Sequence, residues 1–135
     1  ARRVAIASRP SRARRHSGGA QPRGWPREAR LVRRGDFEAV YRGGQRRSSR
    51  QFVVFFRRNG LERSRFGASV KKALGGAVVR NRIRRRIREI LRLNRTEIPT
   101  GWDMVIHPRG SVARAKFSEL ATELIGLLQS VARAA

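Results

Sequence analysis

Residues 80–95 hold eight arginines and a single acid, Glu89. A guanidinium offers a planar fork of donors that pairs with phosphate oxygens and stacks on bases. Arginines this dense repel one another along a helix, so an external anion accounts for the cluster better than local helix energetics. Other chemistry is thinly supplied. His16 lies in an Arg-rich tail, His107 stands alone before Pro108, and no HExxH, Walker-type loop or paired carboxylates occur. Gly75-Gly76 reads as a strand-to-helix turn, not a phosphate loop. Glu89, Asp103 and the few other acids make no metal-binding pattern, and the absence of cysteine excludes disulfides, zinc knuckles and iron–sulfur sites. The residues point to electrostatics and positioning, with no catalytic group and no metal ligand.

The whole chain shares this bias. Its 135 residues carry 33 Lys plus Arg against 9 Asp plus Glu, a net charge of +24. Only Lys71, Lys72 and Lys116 are lysine, although a codon or growth-temperature bias would favour arginine equally well. Such a surplus calls for a polyanion, either nucleic acid or an anionic membrane. The apolar stripe of the Arg-rich segment is aliphatic, lacks Trp and Phe, and is needed to cover a sheet. No apolar run approaches the roughly 20 residues of a spanning helix. Nucleic acid is therefore the expected partner, with no membrane.

The elements that must position these residues follow from periodicity. Residues 1–30 mix Pro, Gly, Ser and Arg, and we read them as a flexible basic arm. Their Arg- and Ser-rich start loosely resembles a transit peptide. The folded domain spans 31–135. "RRGDFEAVYRGG" predicts a short helix with Asp36 as N-cap and Gly43 or Gly44 as its end. Residues 51–56 and 65–72 predict two strands joined as a hairpin. A helix follows over 78–94, then a strand over 102–107 and a helix over 112–132. The order α-β-β-α-β-α gives an α+β fold with helices packed on a small mixed sheet. On the 78–94 helix, Val79, Ile83, Ile87, Ile90 and Leu93 share one face, with Arg84, Arg85, Arg88 and Arg92 opposite. Arg80 and Arg82 flank the apolar arc, while Arg86 falls inside it and must snorkel or find a partner.

Aromatic residues form a second candidate surface. Phe37 and Tyr41 share a helix face, and Val53 and Phe55 share a strand face opposite Phe52, Val54 and Phe56. One strand face must pack on helices. The other could offer stacking platforms to single-stranded bases, each worth about 1–3 kcal/mol. Phe52 and Phe56 are expected in the core, Tyr41 and Phe55 at a cleft.

The ordered series Gly75, Ala77-Val78, Arg80-Asn81-Arg82, Arg84-Arg85 and Arg88-Glu89 resembles the protein subunit of bacterial ribonuclease P. The likeness extends through "DFEAVYRGG", "QFVVFFRRNGL" and "GWDMVIHPR", over roughly residues 31–130. The resemblance implies an α-β sandwich of three to four strands with a left-handed β-α-β crossover, against the usual right-handed rule. It implies a cytoplasmic protein that binds a catalytic RNA, one protein per RNA. That RNA, using Mg²⁺ bound mainly by itself, removes the 5′ leader of precursor tRNA. By the same resemblance Arg80, Asn81, Arg82, Arg84, Arg85, Arg88 and Lys72 meet the catalytic RNA. Phe37, Tyr41, Val53, Phe55 and Ser69 line the leader cleft. Three positions depart from the family pattern. Gly76 stands where Asn is usual, Arg86 where an apolar residue is common, and the Lys71-Lys72 pair is displaced by one. On a strand that displacement would reverse the face, which favours Lys72 over Lys71. The alternative is a structural RNA-binding protein of ribosomal type with no role in cleavage. A nonspecific nucleoid or chaperone protein driven by its basic tail is a third reading.

Overall fold

Along β2 (Phe52–Arg58) every second side chain from Phe52 to Phe56 is buried, and those between them are half-buried. This alternation divides the molecule into two unequal packing layers. The computed structural model describes residues 29–134. Its elements run α1 (Arg34–Gly43), β1 (Gln45–Ser48), β2, β3 (Arg65–Ala68), α2 (Ala77–Leu93), β4 (Trp102–Pro108) and α3 (Phe117–Ala134). The expected basic arm falls on residues 1–28, outside the described residues. Ala29 and Arg30, also assigned to it, are described: Ala29 is buried and Arg30 bridges Phe66.

The four strands form one mixed sheet in the order β1-β2-β4-β3. β4 pairs antiparallel with β2 and parallel with β3. The expected hairpin between the second and third strands is thus corrected, because β4 lies between them. The reason is burial. Trp102 to Ile106 are buried without interruption, so this strand needs cover on both faces and both edges. Parallel pairing of β3 with β4 then requires a crossover, which α2 supplies. The true hairpin is β1-β2, in register from Gln45↔Phe56 to Ser48↔Val53. β1 was not foreseen, since all four residues of "QRRS" are exposed and carry no apolar alternation.

Ile83, Ile87, Ile90 and Leu91 of α2 and Leu120, Leu124, Leu128 and Val131 of α3 are buried with Phe52, Val54, Phe56, Phe66, Met104 and Ile106. Phe52 and Phe56 are core residues, as expected. The opposite sheet face carries a smaller cluster of Leu31, Val40 and Val105, against which Phe37 and Phe55 pack. α1 therefore covers part of that face.

Several boundaries move for identifiable reasons. α1 begins with Arg33 at its cap position and no side-chain cap bond. Asp36 lies inside the first turn, where a carboxylate favours the helix dipole, and faces Arg65 at 3.7 Å. The last helix starts at Phe117, not 112, after a 3-10 turn at Gly110–Ala113. The Arg86 guanidinium claims the carbonyls of Val112, Ala113 and Ala115 at 2.8, 3.1 and 2.8 Å, which fixes this turn onto α2. Arg86 thus meets a partner, as its place inside the apolar arc demanded. β3 stops at Ala68, and Lys72–Leu74 form a 3-10 turn. Strand alternation therefore does not discriminate Lys71 from Lys72, and both are exposed.

Candidate nucleic-acid interface

α2 is entered through a sharp turn. Gly75 has φ 149°, a region L side chains rarely adopt, and a Cβ there would press on the Val79 side chain at 2.9 Å. Arg80 folds back on this turn, donating from Nε to the Gly75 carbonyl at 3.0 Å. One turn on, Arg84 donates to the Asn81 side-chain oxygen at 3.0 Å, so Asn81 orients a neighbouring guanidinium. Asn81, Arg82, Arg85 and Arg88 are exposed, and Arg80 and Arg84 half-exposed. Glu89 is engaged by Arg92 at 2.6 Å. Burial, then the charge of Arg82, lowers the pKa of Arg86 below the usual arginine value. The face of α2 turned from the core is a cationic strip preceded by the exposed Lys71 and Lys72.

The second surface lies on the sheet face bearing α1. The Tyr41 and Phe55 rings meet edge to face at 5.1 Å between centroids. His107 closes a three-ring cluster, 5.7 Å from Tyr41 and 5.0 Å from Phe55. The Tyr41 hydroxyl lies 2.8 Å from His107 Nε2, and the Ser69 side chain acts on the same hydroxyl. Burial raises the Tyr41 pKa above 10.0 although Ser69 works the other way, so it is a neutral phenol at pH 7. Burial, then the charge of Lys71, holds His107 below 6.5, which favours the neutral imidazole at pH 7. Val53 pairs with His107 across β2 and β4. Arg46 of β1 places its guanidinium carbon 6.0 Å from the Phe55 ring centroid.

Tyr41, Phe55, Ser69 and, through register, Val53 are therefore brought together. Phe37, half-buried like Phe55, packs on the β3 backbone, where a Cβ on Gly67 would approach its ring within 2.5 Å. Two cleft residues escaped the sequence reading. Arg46 lies on the strand that carried no apolar signal. His107 was legible in principle, since Asp103, Val105 and His107 alternate on one face of β4, but its register with Val53 was hidden.

Among the described residues no group of three or more His, Cys, Asp or Glu could hold a metal ion. No described helix is long and apolar enough to cross a membrane.

The family described as Ribonuclease P matches residues 25–132. The chain belongs to the ribonuclease P protein family. The ribonuclease P protein component of Thermotoga maritima is 38% identical over 109 residues, covering 78% of this chain and 93% of that protein. The protein component of Acidothermus cellulolyticus is 41% identical over 105 residues, covering 76% and 88%. Among solved structures, the RNase P protein of Thermotoga maritima superposes with TM-score 0.71 at 38% identity, over 75% of this chain and 96% of its own. That of Staphylococcus aureus gives 0.68 at 31% identity, over 76% and 94%. The α+β sandwich is thus that of ribonuclease P proteins, and the chain takes its place in tRNA processing as part of a ribonucleoprotein.

Proposed function

We propose that the protein docks the catalytic RNA of ribonuclease P with the exposed face of α2 and grips the 5′ leader of precursor tRNA in the cleft around Tyr41 and Phe55. The RNA, with Mg²⁺ held mainly by its own phosphates, hydrolyses the phosphodiester at the mature 5′ end. One protein serves one RNA, in the cytoplasm. The observation that carries this reading is the separation of arginine roles on one helix. Arg86 is spent on carbonyls inside the fold, whereas Arg82, Arg85 and Arg88 stay exposed with Asn81. Exposed guanidiniums neutralise phosphates and release counterions. The aromatic cluster supplies what a single-stranded leader needs, rings for stacking with Arg46 beside them. The chain lowers the cost of bringing two polyanions together and orients the leader, while the bond-breaking belongs to the RNA.

The test adds the purified protein to a ribonuclease P RNA in low Mg²⁺ and follows 5′ processing of precursor tRNA. The reading expects faster cleavage at the same phosphodiester. RNA binding without any effect on processing would favour a ribosomal-type structural role instead.

A further inference from the structure

His107 is the one ring of the cleft cluster with hydrogen-bonding atoms on both sides. Its Nε2 is engaged by Tyr41 at 2.8 Å. Tyr41 and His107 share this bond through one proton, and the Ser69 side chain acts on the same hydroxyl. With Nε2 engaged by Tyr41, Nδ1 is the ring nitrogen left for a ligand, a donor or an acceptor according to the tautomer. The neighbouring charge, Lys71, is positive and works against a second proton on the ring. His107 is half-buried, held by edge-to-face contacts with both Tyr41 and Phe55. Its orientation is therefore set before any ligand arrives. Val53, its partner on β2, offers only an apolar flank.

We propose that His107 is a further specificity-determining residue of the leader cleft, an imidazole held through Nε2 by Tyr41 that offers its Nδ1 to the base of a leader nucleotide lying against Phe55. This rests on the leader-cleft reading. Nδ1 meets a complementary polar atom of a base edge, and the rings on either side restrict the nucleotide to one stacked position. Because Tyr41 acts on the nucleotide partly through His107, it is both a wall and a positioning residue.

The experiment measures binding of the protein–RNA holoenzyme to a leader-bearing precursor tRNA and to the same tRNA without a leader, at pH 7.5. The variants are His107→Phe, which keeps a ring and removes both nitrogens, Tyr41→Phe, and Phe55→Leu as a cleft control. The proposal expects His107→Phe to weaken the leader-bearing substrate about 3- to 10-fold, the range of one net hydrogen bond. Leaderless tRNA should bind unchanged. Tyr41→Phe should show a smaller loss of the same kind. Replacing leader nucleotides one at a time by abasic sites should abolish the His107→Phe difference at a single position. If Phe55→Leu weakens leader binding and His107→Phe does not, the cleft stands and the His107 proposal fails. If neither variant affects the leader, both fail. Equal losses with leaderless tRNA would also overturn the proposal, and thermal midpoints of each variant separate folding from binding.

Discussion

The Arg86 guanidinium donates to the Val112 carbonyl at 2.8 Å, and this bond joins α2 to the turn that precedes α3. Arg85, its neighbour in sequence, is exposed. One step along the helix separates a structural arginine from an exposed one. Arg86→Met should lower stability by about 1–3 kcal/mol, as expected for lost charge-assisted hydrogen bonds. Arg85→Ala should leave stability within about 0.5 kcal/mol but reduce the slope of log K against log salt for RNA binding by about 1. Thermal melts and salt titrations on both variants check the contrast.

Arg65 ties the cleft layer together. It chelates the buried Asp103 carboxylate at 2.9 and 2.6 Å and lies 3.7 Å from Asp36 on α1. Asn59 donates to the same carboxylate at 2.9 Å. Arg65→Ala leaves a buried carboxylate with one neutral partner, so destabilisation of about 3 kcal/mol is expected. In a double-mutant cycle, Arg65→Ala with Asp103→Ala should cost less than the sum of the single changes. Additive losses would show that the pair does not act as a unit.

Gly67 is a spacing device. A Cβ there would stand 2.5 and 2.7 Å from Phe37 ring atoms. Gly67→Ala should therefore push Phe37 and α1 off the sheet, costing about 1–3 kcal/mol. Leader affinity should drop along with stability, while binding of the catalytic RNA stays at its parent value. Unchanged melting and leader affinity would show that Phe37 yields freely.

Acid should weaken the fold in two windows. His107 sits below 6.5 because of burial and the charge of Lys71, and it is hydrogen-bonded to Tyr41 of α1. Just below pH 6.5 the unfolded chain binds more protons at this residue, so its contribution is full above that pH and is lost as pH falls through the lowered pKa. For Glu123, burial raises the pKa, but hydrogen bonds from Ser49 and Gln51 and the charge of Arg50 outweigh it and leave it below 4.5. Its contribution is present above 4.5 and lost as pH falls through the lowered value. His107→Phe should flatten the upper part of the plot of thermal midpoint against pH, and Glu123→Gln the lower part.

The sequence revealed elements wherever one face was apolar. α2 and α3 were readable from aliphatic stripes at helical spacing, and β2 from its run of aromatic and β-branched residues. β1 was not, because "QRRS" buries nothing and is held by backbone pairing to β2. Strand order also escaped. That β4 is buried throughout was visible as "WDMVI", but its insertion between β2 and β3 depends on nonlocal pairing that no local pattern encodes. In the site, Tyr41 and Phe55 were legible from periodicity and resemblance. Arg46 and His107 were not, since their roles depend on which strand lies beside which. The Lys71–Lys72 question assumed a strand that ends at Ala68.

The central claim is that two surfaces serve two RNAs, and its most direct test is holoenzyme affinity for leader-bearing against leaderless tRNA after Phe55→Ala. Removing one stacking platform costs about 1–3 kcal/mol, roughly 5- to 150-fold. Phe55 also flanks the small core of Leu31, Val40 and Val105, so folding is verified first by thermal melting. The account predicts a loss confined to the leader-bearing substrate, with leaderless tRNA bound as by the parent. A folded Phe55→Ala holoenzyme that loses both substrates equally, or neither, would contradict it.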